Sequence, residues 1–206
     1  MKRLNYIDLG VHKGQEIDMV LKDYAEYQHK FDLFIYGVEA SLPLFLKIQS
    51  KYEGNYRVKL FHNAICEDSG RVDFYISKGR SKLGSSIYSS KHNVNIKKRK
   101  SVYGYSFFDF VNKNVKYFDS SINVLKLNIE GAELSVYESL VKNNMIKKID
   151  LFCGYPGHDI EKIPEFSNYK KKKYYSLMDK HNIKLKFLCG DSGGHIARSI
   201  NIFEAL

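Results

Sequence analysis

The sequence is poor in cysteine and has no long apolar run. Its three cysteines, in 206 residues, lack C-x-x-C spacing, which argues against both a disulfide framework and a cysteine zinc site. We therefore expect reduced, buried thiols in a cytoplasmic protein. No apolar stretch approaches the length that spans a membrane. The start, Met1-Lys2-Arg3, leads directly into a predicted strand, so we also expect no signal peptide.

The composition is that of one folded domain with an excess of positive charge. Hydrophobic residues make up 44% of the chain, so we predict a single domain over residues 1–206. The formal net charge of +10 favours an anionic partner, either nucleic acid, a membrane surface or an anionic glycan. A basic surface that only keeps the protein soluble is the alternative. The oligomeric state stays open.

A glycine-rich turn near the start of the chain is the first candidate site. A short apolar strand over residues 4–9 runs into Gly10 and Gly14, and a helical pattern begins at Gln15. Glycine lacks a Cβ atom, so its amides can approach a ligand closely, and the helix start adds unpaired N–H groups. Asp8 stands at the end of the strand. This arrangement predicts a nucleotide-type cofactor loop, although many α/β domains have such a turn without a ligand.

The absence of two known phosphate-binding motifs restricts the class of ligand that this loop could bind. The loop is not the G-x-G-x-x-G fingerprint of dinucleotide-binding folds, and no Gly-Lys-Ser/Thr follows it as in a P-loop. An acid before G-x-x-x-G suits a positively charged ligand better than a phosphate. S-adenosylmethionine, which carries a sulfonium and an amino group, is such a ligand.

Two further predicted strands carry polar residues that suit a nucleoside. Residues 33–39 are typical of a buried strand, and Glu39 ends it where a parallel nucleotide-binding sheet places a carboxylate for both ribose hydroxyls. An exposed glutamate at a strand end is the alternative. The strand over residues 57–65 carries Asn63, whose amide offers a donor and an acceptor to an adenine edge.

Residues 78–105 are the least regular part of the chain and follow a predicted β-hairpin arm over residues 71–77. Glycines, serines and a basic cluster predict a mobile lid over the site. Ser85 and Ser86 would lie closest to a carboxylate of the cofactor or the acceptor. A flexible solvated loop without such a role is the alternative.

The second half of the chain supplies the remaining strands of the predicted sheet. They cover residues 123–129, 148–153, 184–188 and 199–203. Open parallel sheets bind ligands at the carboxyl ends of their strands. The polar residues that follow these strands are Asn128, Glu130, His158, Asp159 and His195.

Four stretches resemble, in order, the motifs of FkbM-type S-adenosylmethionine-dependent methyltransferases. They are Y-I-D-L-G-V-H-K-G at residues 6–14, G-V-E-A at 37–40, N-A-I at 63–65 and L-K-L-N-I-E-G-A-E at 125–133. The family pattern usually has D-x-G-A-N-x-G, E-P and K-x-D-x-E-G-A-E. This chain differs from it at His12-Lys13, Ala40 and Asn128. The Asn128 difference removes a charge near the methyl-transfer site.

The resemblance implies a Rossmann-like class I methyltransferase fold of the α/β class. Such a fold has a seven-stranded, mostly parallel sheet, with the last strand antiparallel and helices on both faces. The implied reaction is O-methylation of a hydroxyl on a sugar, a glycan or a related small molecule. Asp8 and Gly10 would bind the methionine end of the cofactor, Glu39 its ribose, and Asn63 with Ala64 its adenine. The other expected cofactor contacts are Lys13, Gly14, Ala40, Ser85, Ser86 and Asn128.

A sugar hydroxyl is a weak nucleophile, so a base or a metal must help to remove its proton. We expect Glu130, His158 and Asp159 to be catalytic, with His195 as a further candidate. Glu130 could instead cap the following helix, and either histidine could be a surface loop residue. Asn128, Glu130 or Asp159 could supply oxygen ligands to a divalent ion, and the need for a metal stays open.

Two other functions fit parts of the sequence. The positive charge and the sixteen tyrosines favour an RNA ribose methyltransferase, although such enzymes commonly carry a Lys-Asp-Lys-Glu set and Asn128 replaces the Asp. A non-catalytic module that only binds S-adenosylmethionine is the third function. We rank methylation of a sugar or small molecule first, methylation of RNA second and the binding module third.

Overall fold

The computed structural model describes residues 1–79, 84–154, 158–161, 163–186 and 200–206, without the side chains of residues 158 and 159. In chain order its elements are β1 (Lys2–Leu9), α1 (Gln15–Tyr27), β2 (Phe31–Val38), α2 (Leu42–Lys51), β3 (Val58–Phe61), β4 (Ala64–Ile65), β5 (Gly70–Ser77), β6 (Val94–Tyr105), α3 (Phe107–Asn114), β7 (Ile122–Leu127), α4 (Glu133–Lys142), β8 (Leu151–Gly154), α5 (His158–Glu161) and α6 (Asn168–Lys180).

Five strands form the main sheet, in the order β3-β2-β1-β7-β8, and every neighbouring pair is parallel. The α/β class and the parallel arrangement are confirmed, but the prediction of seven strands is wrong for the described residues. Near the predicted strand at 184–188, Lys186 makes a single parallel bridge to Cys153. Residues 200–203 form no strand. Residues 187–199, which include His195, lie outside the described residues.

Both faces of the main sheet are covered, because its strands carry apolar side chains that project from both faces. In β1, Ile7 and Leu9 face one hydrophobic cluster, which contains the buried residues of α3 and α4. Leu4 and Tyr6 face the other cluster, which contains the buried residues of α1. Near-continuous apolar runs are typical of parallel strands buried on both faces. The predicted helices on both faces of the sheet are confirmed.

A second, smaller sheet has the strand order β4-β6-β5, with β5 and β6 antiparallel. The predicted arm over residues 71–77 is therefore a strand, but its partner β6 occupies the second half of the segment predicted as a mobile lid. Six consecutive residues of β6, 96–101, are exposed, so the strand shows no apolar alternation. That absence is why the sequence predicts irregular structure there.

None of the described helices is long and apolar enough to cross a bilayer.

Candidate functional site

A cleft opens at the carboxyl ends of β1, β2 and β7, and the second sheet forms one of its walls. It encloses about 660 Å³ of unfilled space, counting its open mouth. Parallel sheets bind ligands at this edge. Eight of the predicted site residues line the cleft, namely Gly10, Glu39, Ala40, Asn63, Ala64, Ser85, Asn128 and Glu130. Further lining residues that the sequence did not indicate include His12, Leu44, Phe74, Ile87 and Ile129.

Gly10 forms the part of the cleft where two strand ends meet. Its φ is +90°, and a Cβ atom there would lie 2.0 Å from the carbonyl oxygen of Asn128. The amide of Gly10 donates to the carbonyl of Val38 at 3.0 Å, and the amide of Asn128 donates to that of Leu9 at 3.0 Å. No side chain larger than hydrogen fits, so the backbone itself forms the wall of the cleft.

Lys13 and Gly14, at the far end of the glycine-rich loop, do not line the cleft. Gly14 has a φ of +78°, and its carbonyl accepts a 2.7 Å hydrogen bond from the hydroxyl of Tyr52. Gly14 therefore lets the start of α1 pack closely against α2. Lys13 is exposed, and its carbonyl faces the amine of Lys51.

Asp8 lies behind the loop, where it is fully buried. Its Oδ1 atom is 2.9 Å from Nζ of Lys126, which is also buried and donates to the carbonyl of Gly10 at 2.8 Å. Burial raises the pKa of Asp8 to about 6, an effect that the charge of Lys126 partly offsets. Asp8 thus holds the glycine-rich loop in place through Lys126.

Glu39 is the buried acid of the cleft. Its Oε2 atom accepts from the amide of His12, and its Oε1 atom accepts from the amide of Ser41, both at 2.8 Å. Burial raises the pKa of Glu39 to about 7, although these two hydrogen bonds act in the opposite direction. A carboxylate has about four lone-pair sites, so each oxygen keeps one site for a further donor.

Asn63 joins the cleft to the second sheet. It lines the cleft, and its side-chain amide donates to the carbonyl of Tyr103 in β6 at 3.0 Å. The neighbouring Ala64 is buried and lines the same wall. The predicted adenine-edge residue therefore has one of its donors engaged by β6.

The segment between β5 and β6 is fastened across the cleft to the loop after β7. The hydroxyl of Ser86 donates to the carbonyl of Glu130 at 2.8 Å, and the buried amine of Lys91 forms an ion pair with the carboxylate of Glu130. Ser85 accepts from the amide of Ser77 at 2.9 Å. Lys91 was missed because an isolated lysine among polar residues carries no periodic signal.

Glu130 and Glu133 have different roles at the start of α4. Glu133 accepts from the amides of Ile129 and Gly131, at 2.9 and 2.8 Å, and so satisfies the loop before the helix. Glu130 has a φ of +60° and points its carboxylate to Lys91 at the cleft. Glu133 therefore stabilises the loop that precedes α4, while the carboxylate of Glu130 pairs with Lys91.

Two predicted catalytic residues, His158 and Asp159, begin the short helix α5, but their side chains lie outside the described part of the structure. Within the described ranges, no group of three or more His, Cys, Asp or Glu side chains is placed to hold a metal ion.

Comparison with solved structures supports the fold. The chain is similar to a crystal structure of the methyltransferase FkbM from Methylobacillus flagellatus, with a TM-score of 0.50 and 13% sequence identity. The match covers 85% of this chain and 36% of that one, so this chain spans about a third of the solved protein's length. No family model and no curated protein matches the sequence. The resemblance to FkbM-type methyltransferases is thus confirmed at the level of the fold.

Proposed function

We propose that the protein is an S-adenosylmethionine-dependent O-methyltransferase that acts on a hydroxyl of a sugar, a glycan or a related small molecule. The observation that carries this proposal is the cleft at the carboxyl ends of β1, β2 and β7, which places the bare backbone of Gly10 beside the buried carboxylate of Glu39. A nucleoside with a charged amino-acid tail needs both features.

The residues of the cleft fit such a cofactor. Glu39 keeps one lone-pair site on each oxygen, and the two hydroxyls of a ribose would use both. Gly10 leaves room for the methionine end against the backbone, and the Asn63–Ala64 wall would receive the adenine. Asp8 would act indirectly, because Lys126 transmits its position to the carbonyl of Gly10.

When bound, S-adenosylmethionine would supply an activated methyl group, so the chain must align an acceptor oxygen with it and remove one proton. Alignment of this kind lowers barriers by roughly 7–11 kcal/mol. Two acids line the cleft in the described part of the chain. Glu39 is assigned to the ribose, and Glu130 lies close to Asn128. Its carboxylate would take the hydroxyl proton as the oxygen–carbon bond forms and the sulfur–methyl bond breaks to leave a neutral thioether, and Lys91 would hold that carboxylate in place.

The first experiment measures binding of S-adenosylmethionine by calorimetry. We expect the wild-type protein to bind and Glu39→Gln to weaken binding strongly. Glu26→Gln, an exposed site on α1, serves as the matched control and should bind normally. Absence of binding by the wild-type protein would refute the proposal.

The second experiment follows labelled methyl from S-adenosylmethionine into separate glycan and RNA pools, with and without a chelator. Label in glycan supports the proposal, and its loss on chelation would add a metal. Label only in RNA would refute the glycan acceptor and favour an RNA methyltransferase. Binding without transfer to any pool, unchanged by Glu130→Gln, would identify a binding module.

A further inference from the structure

The strand β6 carries a run of four consecutive positive charges. Residues 97–100 are Lys-Lys-Arg-Lys, and all four are exposed. β4 pairs with β6 only at Gly104 and Tyr105. Within the described ranges, residues 94–103 of β6 therefore have β5 as their one neighbouring strand.

The pairing of β5 and β6 assigns Lys100 to the face that borders the cleft. Lys100 lies directly opposite Phe74, and Val102 lies opposite Val72. Residues directly opposite each other in an antiparallel pair project from the same face. Phe74 is buried, packs in one cluster with Ala64, and lines the cleft. Lys100 therefore extends from the wall that Phe74 contributes to the cleft.

A second contact fixes this strand relative to the cleft. Asn63, a lining residue, donates to the carbonyl of Tyr103, three residues beyond Lys100. β6 is thus tied to the cleft wall at Lys100 itself, through the pairing with Phe74, and three residues later through the Asn63 hydrogen bond. Lys100 is exposed, and its backbone is fixed on the cleft side of the arm by these contacts.

Arg99 has an acidic neighbour on the outer face of the arm, whereas the residues of β5 next to Lys100 on the cleft face are apolar. On the outer face, Arg99 forms a 2.7 Å ion pair with Asp73. On the cleft face, the residues of β5 next to Lys100 are Val72 and Phe74, and no ion pair of Lys100 is found in the described part of the chain. A cation beside an apolar wall at a cleft mouth suits an anionic group on a ligand that enters the cleft.

We propose that Lys100 binds an anionic group of the acceptor, so that the substrate is a negatively charged glycan. This inference rests on the proposed function, since it assigns a substrate class to the same cleft. A lysine amine is a mobile point charge that suits phosphate, sulfate or carboxylate groups of varied geometry. Lysines also protect open strand edges from aggregation, but that role does not depend on the face they occupy.

The test compares Lys100→Gln with Arg71→Gln, which removes one positive charge from the opposite face of the same arm. Cell glycans are separated by anion exchange into charged and neutral fractions, and methyl transfer to each fraction is measured. We expect transfer to the charged fraction, with kcat/KM reduced about five-fold through KM in Lys100→Gln and less than two-fold in Arg71→Gln. S-adenosylmethionine should bind both variants as it binds the wild-type protein.

Equal transfer to neutral glycans, equal losses in the two variants, or label in RNA alone would overturn the inference. If no pool accepts label, binding of a fluorescent heparin oligosaccharide decides. Weaker binding by Lys100→Gln than by Arg71→Gln supports the inference, and equal binding overturns it. Failure of the proposed function gives a different result, because the wild-type protein would then not bind S-adenosylmethionine.

Discussion

Lys126 and Asp8 form an ion pair at 2.9 Å between neighbouring strands of the main sheet, and both side chains are buried. The register of β1 and β7 places the two residues side by side. The same amine donates to the carbonyl of Gly10, so the pair connects the interior of the sheet to the wall of the cleft. Removal of one partner would leave an unpaired charge in the core.

We predict that Lys126→Met lowers the free energy of unfolding by about 3–5 kcal/mol, because it leaves the buried charge of Asp8 without its ion-pair partner. The double variant Asp8→Asn with Lys126→Met should lose less than the sum of the two single variants. Urea denaturation measures these values. Lys148→Met is the control, since its ion pair with Asp119 is exposed and should be worth less than about 1 kcal/mol. Strict additivity of the two buried substitutions would contradict the pairing.

Gly10→Ala and Gly54→Ala separate backbone strain from steric exclusion. Both glycines have positive φ, +90° and +79°, but a Cβ at Gly54 would meet nothing within 4 Å. Gly54→Ala should therefore lose about 1 kcal/mol of stability through strain alone. Gly10→Ala should lose clearly more and also lose cofactor binding, because the added atom collides with the carbonyl of Asn128. Thermal unfolding and calorimetry check both effects, and equal losses in the two variants would count against the close approach.

The raised pKa values of the two buried acids, Glu39 and Asp8, predict how the free energy of unfolding changes with pH. The pKa of Glu39 is raised by burial from 4.5 to about 7, so the folded state binds its proton more tightly than the unfolded state does. The free energy of unfolding should then fall as pH rises between about 4.5 and 7, with Glu39 contributing up to about 3 kcal/mol of that change. The pKa of Asp8 is also raised, to about 6, so Asp8 should further lower the free energy of unfolding as pH rises through the lower part of this pH range.

Glu39→Gln tests this assignment, since it removes the proton-binding group. We expect the slope of unfolding free energy against pH, measured in urea at pH 5, 6, 7 and 8, to be shallower in the variant. The comparison uses slopes, because the substitution also changes the hydrogen bonds to His12 and Ser41. Identical slopes in the two proteins would assign the pH dependence to other groups.

Local sequence pattern is enough to predict the central strands and the residues that end them. β1, β2 and β7 are apolar runs, and the polar residues that follow them, such as Glu39 and Asn128, line the cleft as parallel topology requires. The pattern fails for β6, because its exposed basic residues have no alternation. The family resemblance also gives too many strands. It implies a seven-stranded sheet, whereas the main sheet of the described residues has five strands.

The side-chain pairs of the site join residues that are far apart in the sequence, so a short stretch of sequence cannot predict them. Asp8 and Lys126 are distant in sequence, and only the strand order makes them neighbours. Lys91 meets Glu130 because a loop from the second sheet crosses the cleft. The choice between Glu130 and Glu133 as the residue that satisfies the loop before α4 depends on the positive φ of Glu130. Each is a tertiary relationship, so the sequence indicated the residue types but not their partners.

The contact between Lys91 and Glu130 predicts a shared catalytic effect. If Glu130 takes the acceptor proton, Glu130→Gln should lower kcat by roughly 10²-fold or more. Lys91→Met should lower kcat as well, because the carboxylate loses the partner that positions it. The dissociation constant of S-adenosylmethionine should change less than about two-fold in both variants, since neither side chain is assigned to the cofactor. Single-turnover methyl transfer and calorimetry measure the two quantities separately.

A double-variant cycle then distinguishes a shared role from two structural defects. If Lys91 acts through Glu130, adding Lys91→Met to Glu130→Gln should reduce kcat little further, because effects of groups that act as a unit are not additive. Lys78→Met is the control, since Lys78 is an exposed lysine next to the same segment and its amine donates to the carbonyl of His92. Multiplicative losses in the double variant, or a comparable loss in Lys78→Met, would show that Lys91 supports the fold of the segment rather than the position of Glu130.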